Sequence, residues 1–171
     1  MHSRLRKIRT LRRLRRLLRI DRLGRDERGI QLVELAIVVP IFVILFAATA
    51  EFGRYFYEYT TLAKASRAGA RYLATAAVKS AEDTTAKNIV VYGNSTGTGS
   101  PVLPGLTTTN VTITRQGGVP VLPQTVKVEI VNFKHQPLFD LGALIKVTSL
   151  SLNVDLKPSV TMRYLLTQPA I

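Results

Sequence analysis

GIQLVELAIVVPIFVILFAATA, residues 29–50, is the stretch on which the fold turns. Counted from Ile30 to Ala50 it holds 21 residues, and none from Leu35 onward is charged. About 20 apolar residues in a helix cross a hydrocarbon core, so residues 30–51 read as a transmembrane helix. One carboxylate, Glu34, lies just inside this span, and Gly29 stands just before it. Pro40 interrupts the run about three turns in; it removes one backbone hydrogen bond and predicts a kink or a local loosening. Neighbouring helices can compensate for that break in a membrane, and a simple kink in a lone anchor is equally compatible.

On the amino-terminal side the composition changes abruptly. Residues 1–28 carry 12 Lys/Arg against 3 acids (Asp21, Asp26 and Glu27), a net of +9, whereas the chain as a whole stands at +13. The remaining 143 residues therefore hold only +4 (12 basic against 8 acidic). So local an excess is not the footprint of a nucleic-acid-binding domain: the arm has no aromatic residue and leads into an apolar segment. Residues 1–29 read as a basic cytoplasmic leader. It is either disordered or a cationic helix with Leu11, Leu14 and Leu18 on one stripe, suited to an anionic membrane surface. Arg12-Arg13 lies too far upstream of the apolar run for a convincing twin-arginine signal. Arginine before the span, with no comparable cluster just after it, predicts a cytoplasmic N-terminus and everything beyond the span on the other side.

Beyond the span the helical period continues through residues 52–81. Phe52, Tyr55, Phe56, Tyr59, Leu62, Ser66, Gly69 and Leu73 recur at three- and four-residue steps. The aromatics suit the interfacial belt of a membrane helix, and Lys64, Arg67 and Arg71 line a polar face. One helix from Ile30 to about Ser80 is expected. Residues 82–171 then read as an α+β domain. A short helix is expected over 82–92, followed by a flexible Gly-rich loop over 93–105 without the lysine of a phosphate loop. Strands are expected at 107–115, 124–133, 150–156 and 159–164, with Gly117-Gly118, Pro120 and Pro123 supplying the first turn and a corner or short helix over 134–144. The fold class is thus α+β: a long N-terminal helix followed by a small antiparallel sheet on its C-terminal half. Asn94 and Asn110 match glycosylation triplets that arise often by chance.

The residues exclude most catalytic chemistry. There is no cysteine, and only His2 and His135 could supply an imidazole; a His-based catalytic or metal cluster is not expected, nor is any cofactor. Glu129, Asp140 and Asp155 are scattered along the sequence with no partner at a usable spacing.

Proteolysis is the chemistry the junction does suggest. Ala48-Thr49-Ala50 satisfies a signal-peptidase rule, but the helical pattern runs on through it. A cut after Gly29, where a missing side chain leaves the backbone open to a protease, would make Ile30 a new N-terminus. Glu34 would then lie one helical turn away. A carboxylate in an apolar zone is costly unless paired, and the α-amino group of Ile30, on its own or a neighbouring helix, is a fitting partner. Glu34 thereby becomes a device for subunit alignment.

A charged leader, glycine, and then glutamate five residues on inside an apolar helix resembles the type IV prepilin processing pattern. More narrowly, residues 28–72 resemble the TadE-like domain of the tight-adherence (Flp, type IVb) pilus system. The features that carry this are Arg28-Gly29, Glu34, Pro40, Glu51-Phe52-Gly53-Arg54 and Ala68-Gly69-Ala70-Arg71. The resemblance implies a minor pilin or pseudopilin of the bacterial inner membrane, cut by a prepilin peptidase between Gly29 and Ile30. Its partners would be that peptidase, other pilins, the pilus assembly platform and membrane lipid. The alternative is a single-pass anchored protein that binds a ligand outside the cell and is never processed.

Overall fold

The computed structural model describes residues 27–139, 142, 146, 151 and 153–166. The basic leader, with its possible amphipathic stripe and Arg12-Arg13, lies outside the described residues, as do Asp140, Leu150 and Leu152. Helix α1 covers Glu27–Leu73, helix α2 Ser80–Tyr92, and strands β1, β2 and β3 cover Val111–Val119, Leu122–Ile130 and Ser159–Arg163. The class is α+β, with the antiparallel sheet order β1-β2-β3. The chain divides into two compact units, residues 1–46 and 47–171.

In the first unit the described residues are helical, and the helix runs unbroken through Pro40. Its large side chains are bare: Phe46 is 74% exposed and Leu32 66%. A helix apolar around its circumference belongs in an apolar medium, and this one is long and apolar enough to cross a membrane.

The second unit builds a core around one stripe of α1. Leu62, Ser66, Ala70 and Leu73 are wholly buried, at helical steps of four, four and three residues. Leu62, Ala70 and Leu73 share one core cluster with Val90 of α2 and with Val126, Val128 and Ile130 of β2, the alternate residues of the central strand. Fully burying a Leu, Val or Ile side chain contributes about 1.5–3 kcal/mol. Gly69 permits the close approach of the helices: a Cβ there would stand 2.5 Å from Val90 Cγ2.

Helix α1 ends at Leu73, short of the expected Ser80. The residues that follow it are held by the segment after β3: Leu165 N–H donates to Ala74 O at 2.8 Å, and the Tyr164 hydroxyl donates to Ala76 O. Helix α2 stops at Gly93, whose left-handed φ of 72° suits a glycine C-cap. Arg115 of β1 pairs with Asp83 of α2. The loop after α2 was expected to be flexible, yet it is knitted around Asn94, which accepts from Gly97 N–H at 2.9 Å and donates to Thr98 O at 2.8 Å.

Three strand expectations shift. Residues 107–110 form a 3-10 turn with a Thr107–Asn110 capping box, so β1 begins at Val111. Of the residues expected at the first turn, Gly117 and Gly118 lie inside β1 and Pro123 inside β2, while Pro120 sits in the turn with Val121, between the paired Val119 and Leu122. Of the segment expected as a strand over 150–156, the described residues make an isolated bridge, Lys134 with Asp155. Leu156 is buried but Val154 is 40% exposed, which breaks the expected alternation. Residues 134–139 form neither helix nor strand apart from that bridge.

Candidate functional site

Just past the uncharged run, the core-facing stripe of α1 changes chemistry. Glu51, Tyr55 and Glu58 follow one another at steps of four and three, so they share a helix face. Glu51 is completely buried. Its Oε1 accepts the backbone N–H groups of Leu138 (2.8 Å) and Phe139 (3.0 Å), and its Oε2 lies 3.3 Å from His135 Nε2. The other imidazole nitrogen, Nδ1, stands 2.7 Å from Glu58 Oε2. Arg54 reaches over both acids, its guanidinium 3.6 Å from each carboxylate. The Tyr55 ring meets the imidazole edge-on at 5.7 Å.

His135 is held there by backbone pairing. Its N–H donates to Val154 O at 3.0 Å, and Leu156 N–H donates to Phe133 O at 2.8 Å. The intervening Asp155 carboxyl sits below its usual range because Lys157 hydrogen-bonds it, at 2.9 Å. Thus both chain segments that carry and support the histidine are fastened to α1 through two glutamates.

Chemically the arrangement is a clamp. Both imidazole nitrogens and three of the four glutamate oxygens are engaged within 3.3 Å, which suits cohesion more than turnover. Among the described residues no group of three or more His, Cys, Asp or Glu side chains is placed to hold a metal ion. Beside the clamp lies a cleft of about 880 Å³ lined by Arg54, Tyr57, Glu58, Lys134 and Asp155 among others, charges of both signs.

The contacts that make the clamp do not include the other site residues. Gly29 and Gly53 open onto empty space; Ile30 is 63% exposed, and Glu34 and Pro40 are exposed on α1. Phe52 is exposed, and Arg71 is exposed in the last turn beside Lys64 and Arg67. Within Glu51-Phe52-Gly53-Arg54 the fold therefore brings together the two charged residues and leaves the middle two outside. Glu58 and His135 escaped the sequence reading. Two acids seven residues apart on a helix, with one histidine downstream, were the available signal.

These features define a class: an α+β protein whose N-terminal helix is fit to anchor it in a membrane and whose small domain is clamped to that same helix. Residues 29–71 match the family model described as TadE-like protein. The match opens on Gly29 and takes in Glu34, Pro40, the 51–54 segment and Arg71. No curated protein and no solved structure gives a significant match to the chain.

Proposed function

We propose that this chain is a minor pilin or pseudopilin of a tight-adherence (Flp, type IVb) pilus system, a structural subunit and not an enzyme. It inserts in the bacterial cytoplasmic membrane with its N-terminus inside. A prepilin peptidase cuts between Gly29 and Ile30, leaving a mature subunit that starts at Ile30. The supporting observation is that the TadE-like match begins at Gly29, where the charged leader meets the apolar helix. Glu34 then meets the new α-amino group of Ile30, in its own or a neighbouring helix, and aligns the subunit with other pilins and the assembly platform. Pro40 gives the span local give, and the clamp keeps the outer domain attached to the helix that is pulled from the bilayer.

The test is N-terminal sequencing and intact mass of membrane-extracted protein from cells with and without a prepilin peptidase. The expected chain starts at Ile30 only when the peptidase is active. A chain beginning at Met1 in both strains would identify a plain, unprocessed anchor, and one beginning at Glu51 a released domain.

A further inference from the structure

Leu138 and Phe139 are adjacent exposed apolar residues of the second unit. They are 71% and 54% exposed, side by side, on a segment whose backbone is not free to withdraw them. Both amides donate to the same buried oxygen, Glu51 Oε1. That oxygen belongs to the residue immediately after the uncharged run ending at Ala50. Two hydrogen bonds of 2.8 and 3.0 Å thus fix an apolar tip at the level where the helix leaves its apolar medium. The tyrosines Tyr57 and Tyr59, both exposed, follow within two to three turns, as interfacial aromatics do.

We propose that Leu138 and Phe139 insert into the outer leaflet of the membrane that α1 spans, making a second lipid contact for the domain. Lipid is the occupant because of this height. Paired large apolar side chains seek an apolar medium, and the one the sequence provides begins one residue from the carboxylate that holds them. The clamp then gains a purpose beyond cohesion: Glu51 and His135 set the depth of the tip, so that the domain meets the bilayer at two points and does not swing on one. This inference rests on the membrane-anchored reading above.

The full chain has no cysteine, so single reporters can be introduced at exposed positions without disturbing the core. Leu138→Cys, Phe139→Cys, Ile41→Cys and Ser95→Cys would each be labelled with an environment-sensitive fluorophore. Each would be reconstituted in phosphatidylethanolamine/phosphatidylglycerol vesicles containing lipids with nitroxides at shallow or deep acyl positions. The expected result is blue-shifted emission at 138 and 139 with several-fold stronger quenching by shallow than by deep nitroxides. Position 41 should be quenched best by deep nitroxides, and position 95 by neither. If 41 is quenched while 138 and 139 behave like 95, the tip is overturned and the anchor stands. If 138 and 139 are blue-shifted but unquenched, another protein surface covers them, and the lipid contact is likewise overturned. If 41 is unquenched, the anchored reading itself falls, and this inference with it.

Discussion

Glu51 and His135 are 84 residues apart in sequence, yet Oε2 of one lies 3.3 Å from Nε2 of the other in a fully buried setting. Glu51 is the first residue after the uncharged run, so the clamp closes where the helix becomes part of the domain core. His135→Ala would strip both glutamates of their partner and leave a cavity. Leaving a buried hydrogen-bonding group without its partner costs about 1–3 kcal/mol, more when it is charged, and Arg54 with the two backbone amides should moderate this. Denaturant unfolding of the detergent-solubilised chain should show that loss, while Arg54→Ala, which removes a partly exposed guanidinium at 3.6 Å, should cost about 1 kcal/mol or less.

The core offers a paired test of packing. Ser66 is wholly buried and its hydroxyl has no hydrogen-bond partner among the described residues. Ser66→Ala should leave stability unchanged or raise it by about 1 kcal/mol, because an unsatisfied buried polar group is removed. One turn away, Gly69→Ala should cost about 1–3 kcal/mol by overpacking against the buried Val90. Thermal unfolding of the two variants should move in opposite directions, or leave Ser66→Ala level with the wild type.

Much of this was legible in advance, and the gaps have physical reasons. The uncharged run, the alternation of Val126, Val128 and Ile130, and the acid-led helix expected over 82–92 each carry a local signal. Two apolar stripes share the outer half of α1, however, and a period alone cannot rank them. The aromatic one, Phe52 and Phe56, faces outward, whereas the one interrupted by Glu51 and Glu58 enters the core, because those acids find partners 77 to 87 residues away. The strand start at 107 was misplaced because Asn110 captures the Thr107 amide at 3.0 Å and side-chain bonding outcompetes the ladder. Gly117-Gly118 looked like a turn, yet both residues take left-handed φ within the hairpin arm.

Alkaline pH should weaken the fold through Tyr72. Its hydroxyl donates to Glu82, and that bond, with burial, raises the phenol above its usual value. A folded-state value above the unfolded one, about 10, means the neutral phenol is favoured by folding. This contribution is complete below pH 10 and is lost as pH rises through the folded value. Burial raises Tyr164 in the same direction. Melting temperatures from pH 8 to 11 should fall for the wild type, and more gently for Tyr72→Phe, which begins lower for want of the hydrogen bond.

Gly29→Ala separates proteolysis from folding. An added Cβ there meets nothing within 4 Å among the described residues, and alanine favours a helix over glycine by about 1 kcal/mol. The folded domain should therefore be unaffected, with an unchanged melting temperature and circular dichroism. Processing should nonetheless fail, leaving the leader attached in immunoblots of peptidase-positive cells. Normal cleavage of this variant would show that the protease does not need a bare backbone at residue 29.

Glu34→Ala isolates the pairing role. The side chain is exposed on α1, in a stretch where a lone carboxylate is costly in lipid. Replacing it should ease membrane insertion and leave the clamp around Glu51 intact, since Glu34 lies more than four helical turns before it. Cleavage after Gly29 should proceed, giving a chain that starts at Ile30, but that amine would lack its carboxylate partner in a neighbouring subunit. Pilus yield in sheared fractions should then fall sharply, with the processed protein retained in the membrane. Restoring a carboxylate with Glu34→Asp, one methylene shorter, should recover part of the yield, whereas Glu34→Gln should not. Wild-type pili from Glu34→Ala would remove the charge-pairing role.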